Sequence, residues 1–336
     1  MIETILLISI WISFFATLFV LPSWIRRAKN AGLVGEDVHK TERSKLAEAG
    51  GVTVIVGFAL GVLVYVSINT FIFESTKNFI EIFALTSSIL LISFVAFTDD
   101  ILGWKIGMRR RTRIILVAFA SIPLVAINAG KSSIGLPFLG NIELGIFYPL
   151  VFIPLGIVGA TTTFNFLAGF NGLEAGQGII LLTSLALVSF FTGNHWLSIV
   201  ALCAVASLVA FLIFNFHPAK VFPGDVLTYF VGGLIAIVAI LGNFEKVAVF
   251  FFIPFIIEVF LKSRGRFTKE SFGKIDRKGN LILGYDKIYS LSHLAIYLLN
   301  KTKYKASEIK VVALIWSFQI VVVLIGLAIF NEGIFR

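Results

Sequence analysis

Charged residues are scarce in this chain. Asp, Glu, Lys and Arg make up 14% of its 336 residues, against about 25% in soluble domains. That shortage excludes an ordinary water-soluble domain. With 58% hydrophobic residues and a mean hydropathy of +0.96, the chain reads as an all-α polytopic membrane protein set in a lipid bilayer. Cysteine is almost missing. Cys203 stands alone, which excludes a disulfide framework within the chain and a cysteine metal site. The four histidines, His39, His195, His217 and His293, are scattered without metal-ligand spacing. A metal here would be held by oxygen, so Mg²⁺, with Mn²⁺ as the alternative, is favoured over zinc. No internal repeat is visible, which withholds support from an inverted-repeat transporter. No basic region precedes the first apolar run, from Ile5, and no small-residue cleavage site follows it. It reads as a retained span and not as a signal peptide. The net charge of +9 reflects basic loops at a membrane and does not imply nucleic acid.

What is present is a series of apolar runs. Ten approach the roughly 20 residues that a span needs: 3–24, 51–73, 79–98, 114–129, 146–166, 177–192, 196–214, 226–243, 246–261 and 310–330. Several carry Pro123, Pro149, Pro154 or Pro254, breaks that are tolerated where neighbouring helices or water cover the freed backbone. The expectation is one membrane domain over 1–336 with about ten transmembrane helices. Basic residues sort to one side of it. The loops 25–50, 99–113 and 215–225 and the segment 262–310 hold 24 of the 28 Lys and Arg. The positive-inside rule makes that side cytoplasmic and turns both termini outward. Nearly all the unusual polar groups fall on the same side. The segment 262–309 is expected to form a small cytoplasmic appendage between the last two helices. Within it, 277–285 reads as a turn and short strand. Residues 287–303 read as a helix, lying on the membrane surface or packed against the spans.

Four constellations carry candidate chemistry. Residues 161–177 (TTTFNFLAGFNGLEAGQ) place Asn165, Gly169, Asn171, Gly172 and Glu174 at the end of an apolar run. An amide and a bare glycine four apart share a helix face and let a flat or anionic ligand approach closely. A glycine C-cap with buried hydrogen bonds is the plainer alternative. Asp99 and Asp100 follow an apolar run directly, and adjacent carboxylates at a membrane boundary call for a cation or basic partners. Asp225, after Pro223-Gly224, either caps a helix or binds a metal. Arg264 and Arg266 flank a glycine, a spacing that suits phosphate oxygens or merely anchors the preceding span. An acidic metal site, an amide-and-glycine surface and arginines at one membrane boundary suit a phosphorylated soluble substrate meeting a phosphorylated lipid. A transporter or flippase is the rival from another class, and it would place charges deep in several spans.

Over nearly its whole length the sequence resembles the polyprenyl-phosphate N-acetylhexosamine-1-phosphate transferases. Within them it is most similar to the archaeal and eukaryotic enzymes that act on UDP-GlcNAc and dolichyl phosphate. The resemblance is carried by GLVGEDVHKT (32–41), EAGG (48–51), TDDILG (98–103), NFLAGFNGLEAGQ (165–177), VFPGD (221–225) and RGRF (264–267). It implies ten transmembrane helices, a cytoplasmic site, and transfer of GlcNAc-1-phosphate to the lipid phosphate with release of UMP, the first membrane step of lipid-linked oligosaccharide assembly. Asp225 and Asn165 would hold Mg²⁺, with Asp99 and Asp100 beside the reacting phosphates. Gly169 and Phe222 would sandwich the uracil, Asn171 would hydrogen-bond it, and the Val38 backbone would read its edge. Glu36 and Glu48 would lie near the ribose, Arg264 on the pyrophosphate and Arg266 near the N-acetyl group. The basic residue that contacts phosphate after the Asp pair is Arg113 counted back from ASIPL (120–124), or Arg109 counted forward from Asp100. Three departures stand out. Glu36 replaces an amide, Arg264 and Arg266 lack a histidine between them, and the histidine-rich loop of the bacterial MurNAc-pentapeptide enzymes is absent, which argues against that substrate. Another UDP-N-acetylhexosamine is the nearer alternative substrate. An archaeal plasma membrane is favoured over the endoplasmic reticulum, and a homodimer is compatible with the sequence.

Overall fold

A computed structural model describes residues 2–40, 44–103, 107–131, 133–136, 140–276, 279–303 and 305–335. Thr41 and Arg43 in the first basic loop, Lys105 in the second, and Arg277 and Lys278 at the expected turn lie outside the described residues.

The chain is built from helices because apolar surroundings leave the backbone no other partner for its N–H and C=O groups. In order these are α1 (Ile2–Asn30), a hairpin of β1 (Val34–Glu36) and β2 (Lys45–Ala47), α2 (Gly51–Phe71), α3 (Phe79–Leu102), α4 (Arg110–Ala120) and α5 (Ile122–Ala126). A second hairpin, β3 (Ser133–Leu136) with β4 (Gly140–Glu143), leads through a π-helical turn, Tyr148–Phe152, into α6 (Ile153–Phe166). Then come α7 (Leu173–Phe191), α8 (His195–Asn215), α9 (Gly224–Gly242), α10 (Glu245–Phe251) and α11 (Ile253–Arg264). A short ladder of β5 (Lys274–Ile275) and β6 (Leu281–Ile282) precedes α12 (Leu291–Asn300), α13 (Glu308–Ile329) and α14 (Asn331–Ile334).

Among the described residues, eight helices are long and apolar enough to cross a membrane. The expected spans 114–129 and 246–261 are helical but each is broken in two. The cause is proline. Pro123 and Pro254 sit in the first turn of α5 and α11, where a missing N–H is harmless. One turn further into a continuous helix each would remove a hydrogen bond and clash. The expected short strand of the appendage is present as β6, and before it the Gly279 N–H donates to Asp276 O at 3.1 Å. Its helix packs against the bundle, since α12 touches α11 and α13 and buries Leu291, Ala295 and Ile296.

The core is centred on α9, whose residues 226–240 are all buried. It touches α2, α3, α6, α7, α8 and α10. Bonds between helix ends show which termini share a face. Trp24 of α1 donates to Glu48 O before α2, and Asp100 at the end of α3 accepts from the start of α9. Asn215 at the end of α8 meets Gly172 before α7, and Glu308 at the start of α13 meets Asn171. The polar motifs are therefore drawn to one end of the bundle.

Candidate active site

The site begins with the first hairpin. β1 and β2 pair in the register Val34↔Ala47, Gly35↔Leu46 and Glu36↔Lys45. Ala47 bridges to Val221, the Phe222 N–H donates to Ala47 O at 2.8 Å, and the Gly50 and Gly51 N–H groups donate to Phe222 O and Pro223 O, each at 2.9 Å. This sets EAGG against VFPGD. Glu48 packs over Gly35, where a Cβ would lie 3.0 Å from Glu48 Cδ and 3.2 Å from the Phe222 ring. Burial, reinforced by the charge of Asp225 and opposed by a hydrogen bond from Ala49, pushes the Glu48 carboxyl up to about 7. Glu36 is exposed at the end of β1 and Val38 is exposed in the loop after it.

At the start of α9 the acids meet. Asp100 accepts from the Asp225 N–H at 2.8 Å and the Val226 N–H at 3.0 Å. It therefore caps α9 from the end of α3, satisfying donors that a helix leaves open at its N-terminus. Gly224 makes this possible. It takes φ +72°, and a Cβ there would press on the Asp100 carboxylate and lie 2.8 Å from Ala49 Cα. Asp225 does not cap its own helix. Its carboxylate pairs with Arg113, which also pairs with Asp99 and lies over the Tyr229 ring at 5.2 Å. Asp99 further accepts from the Met108 N–H. Asn165 lies beside Asp225, and Thr228 Oγ1 is 3.0 Å from both Asn165 Oδ1 and Asp225 O. Of the two arginines that counting left open, Arg113 enters the cluster. Arg109 is exposed just before α4 begins. Asp99 and Asp225 thus face one guanidinium, and Asp100 and Glu48 add two more carboxyl groups close to Asp225. The donors are hard oxygens in negative surplus, a set that fits a hard divalent cation.

The RGRF segment lies against the neighbours of this corner. Phe267 O accepts from Arg110 Nη2 at 3.1 Å, and the Phe267 ring lies 5.5 Å from that of Phe166, the neighbour of Asn165. Arg266 and Phe267 both take left-handed backbone, φ +53° and +56°, a strain that non-glycine residues bear mostly at functional positions. Arg264 and Arg266 are exposed, and neither pairs with a described carboxylate.

The segment 165–177 leaves α6 and turns into α7 with three of its backbone donors held by side chains. The Gly169 N–H donates to Glu174 Oε1 at 2.6 Å, the Asn171 N–H to Glu308 Oε1 at 2.8 Å, and the Gly172 N–H to Asn215 Oδ1 at 3.1 Å. Gly169, at φ +116°, packs against the ring of Phe272. Phe222, expected with Gly169 on either side of the base, lies beside Gly35 on the hairpin. Asn171 Nδ2 donates to Asp37 Oδ2 at 3.2 Å. Asp37, His39 and Glu308 each offer a ligand atom within 4.8 Å of the others, a spacing that could hold a metal ion. Their acceptors already have donors, however. Lys40 Nζ is 3.0 Å from Asp37 Oδ2, and His217 Nδ1 is 2.8 Å from Glu308 Oε2. Asp37, His39, Asn215, Thr228, Phe272 and Glu308 were not singled out in the sequence as site residues. Asp37 and His39 stood inside the first motif, whereas Glu308 gave only the signal of an acidic helix start.

Comparison with known proteins agrees with this geometry. Residues 82–243 match glycosyl transferase family 4. A protein of Saccharolobus solfataricus, provisionally named a UDP-N-acetylglucosamine–dolichyl-phosphate N-acetylglucosaminephosphotransferase, is 37% identical over 96% of this chain and 94% of its own. One of Sulfolobus acidocaldarius with the same provisional name is 34% identical over 94% and 93%. The Dictyostelium discoideum protein that carries this name outright is 32% identical over 71% and 66%. The acids of α3 and α9 and the whole 165–177 segment fall within the matched region. This chain belongs to glycosyl transferase family 4 and is an integral, multi-pass membrane transferase.

Proposed function

We propose that this enzyme transfers GlcNAc-1-phosphate from UDP-GlcNAc to a dolichyl-type polyprenyl phosphate, giving polyprenyl-diphosphate-GlcNAc and UMP. The observation that carries the reading is the junction of Asp99, Arg113 and Asp225 from three different helices, with the exposed Arg264 and Arg266 on the segment whose Phe267 contacts Arg110 and Phe166. Carboxylates and guanidinium groups gathered around one point suit a reaction between two phosphates. The names of the three relatives supply the substrates.

An oxygen of the lipid phosphate attacks the sugar-bound phosphorus, the new P–O bond forms as the bond to UMP breaks, and UMP leaves. The lipid phosphate, with a second pKa near ~6, is mostly dianionic at pH 7 and needs no general base. The protein's share is alignment and charge neutralisation. Arg113, fixed between Asp99 and Asp225, presents positive charge to the phosphates. Arg264 takes the pyrophosphate and Arg266 the sugar end. Asp100 acts through the start of α9 and sets the position of Asp225. Mg²⁺, or Mn²⁺ in its place, would be held by Asp225 and Asn165 and would offset the charge of the diphosphate. Asn171 and the Val38 backbone read the base, while Glu48 and Glu36 lie along the ribose. The loops and segment that carry the motifs hold 24 of the 28 basic residues, which supports a cytoplasmic site; a plasma membrane is the setting we propose.

The test is UMP release by purified protein in detergent with Mg²⁺, dolichyl phosphate and UDP-GlcNAc, beside UDP-GalNAc and a no-lipid control. Lipid-dependent UMP from UDP-GlcNAc alone is the expected result. Equal UMP from UDP-GalNAc would widen the sugar to UDP-N-acetylhexosamines, and no UMP from folded protein would remove the proposal.

A further inference from the structure

The polar groups that this chemistry leaves unused gather around Asn171. Asn171 is 4% exposed. Its backbone is fixed by Glu308 and its side-chain nitrogen by Asp37. Asp37 is itself held firmly. Lys40 Nζ is 3.0 Å from Oδ2, and the His39 N–H donates to Oδ1 at 3.2 Å. Burial alone would raise its pKa, but the bonds from Lys40 and Asn171 outweigh burial and keep it below the usual carboxylate value. Asp37 is therefore ionised at neutral pH.

An ionised carboxylate only accepts hydrogen bonds. The amide atom that faces Asp37 must then be the nitrogen, whatever the freedom of an isolated amide to turn. Oδ1 of Asn171 is committed to the other side. No described residue donates to it, and it is not among the sealed orphan atoms of the interior, so it is open to a ligand. Flat rings gather at the same corner: His39 stacks on Phe170 at 4.3 Å and meets Phe272 at 5.5 Å. Phe272 in turn covers Gly169.

We propose that Asp37 is a specificity-determining positioning residue: by binding Asn171 Nδ2 it commits Asn171 Oδ1 to accept, and so selects a base with a ring N–H, uracil, over cytosine. This rests on the reading of the site as that of a UDP-sugar with its base at Asn171. Uracil presents N3–H to the fixed oxygen. Cytosine presents a lone pair at the same ring position, and two acceptors facing each other lose the bond and repel.

The decisive variant is Asp37→Ala, which removes the oxygen that Lys40 and Asn171 share. The Asn171 amide is then free to turn and show its nitrogen to the ligand. Competition by UDP and by CDP is measured against UDP-GlcNAc turnover, and binding of both is measured by calorimetry. Wild-type protein is expected to favour UDP about 100-fold, and Asp37→Ala to reduce that preference to about tenfold or less. The double variant, Asp37→Ala with Asn171→Asp, places at 171 a carboxylate that can only accept and should recover the preference for UDP. A merely structural role would weaken both nucleotides in parallel and give no recovery. An unchanged ratio in Asp37→Ala overturns the proposal, as does equal binding of UDP and CDP by wild-type protein. If Asp37→Ala does not fold, the double variant decides by the same ratio, and failure of that variant to favour UDP counts against the proposal. Wild-type protein that binds UDP but releases no UMP would instead remove the proposed reaction and leave the base selection standing.

Discussion

The two polar corners at the working end of the bundle are built on opposite rules. Around Asn171 the carboxylates of Asp37 and Glu308 are matched by Lys40, His217 and the donors of Asn171 and His39. That corner is balanced in charge without a ligand. Around Asp225 the acids outnumber their one guanidinium, while Arg264 and Arg266 stand exposed nearby. That corner is unbalanced until phosphates and a cation arrive. The contrast follows from the tasks. A base is neutral and is recognised by fixed donors and acceptors, whereas transfer between two phosphates needs charge that strengthens as the reaction proceeds.

The unbalanced corner should be the more sensitive. Asp225→Asn removes the carboxylate that faces Arg113 and Asn165, and kcat is expected to fall about 10³-fold or more, with the melting temperature held. Turnover near the wild-type level in UMP release would rule out Asp225 as a site residue. Next in size, Arg113→Ala should lower kcat/KM about 100-fold, because it leaves Asp99 and Asp225 facing each other. Arg109→Ala, four residues earlier and exposed, should change it less than about twofold. Equal losses from the two would show that the arginines act only as a diffuse basic patch. Smaller again is Asp100→Ala, which uncaps α9 at a stability cost of about 1 kcal/mol and reduces turnover about tenfold through Asp225. Asp100→Asn keeps one acceptor and should recover part of both, whereas a loss as large as that of Asp225→Asn would make Asp100 a direct participant.

Much of this was legible in the sequence, for identifiable reasons. Apolar runs near span length became helices, since in lipid little else can satisfy the backbone. Asp99, Asp100, Asn165 and Asp225 could be assigned to one face because each ends or begins such a run. Arg113 could not be separated from Arg109 by counting. Counting forward from Asp100 and back from ASIPL lands on different arginines, and only the folded chain shows that it is Arg113 that faces Asp99. The Asn171 corner was the least legible. Asp37, Asn171 and Glu308 lie 134 and 137 residues apart along the chain. Glu308 reads as an ordinary helix-start acid until α13 packs against α7. Phe272 was hidden for the same reason, in a segment with no periodic pattern.

Glu48 links the two corners, and it offers the finest test of their difference. It sits on the hairpin that carries Asp37, yet it feels the charge of Asp225. Burial first, and that charge second, raise its carboxyl to about 7. A carboxyl raised on folding binds its proton more tightly in the folded state. Its ionisation therefore subtracts stability as pH rises from the ordinary carboxylate range through about 7. Glutamine at this position is neutral throughout. Metal-free Glu48→Gln should melt with wild-type protein at pH 5 and above it at pH 8, the gap opening between those values. Melting curves that run parallel at both pH values would mean that Glu48 is ionised and partnered, and that the charge surplus around Asp225 does not extend to the hairpin.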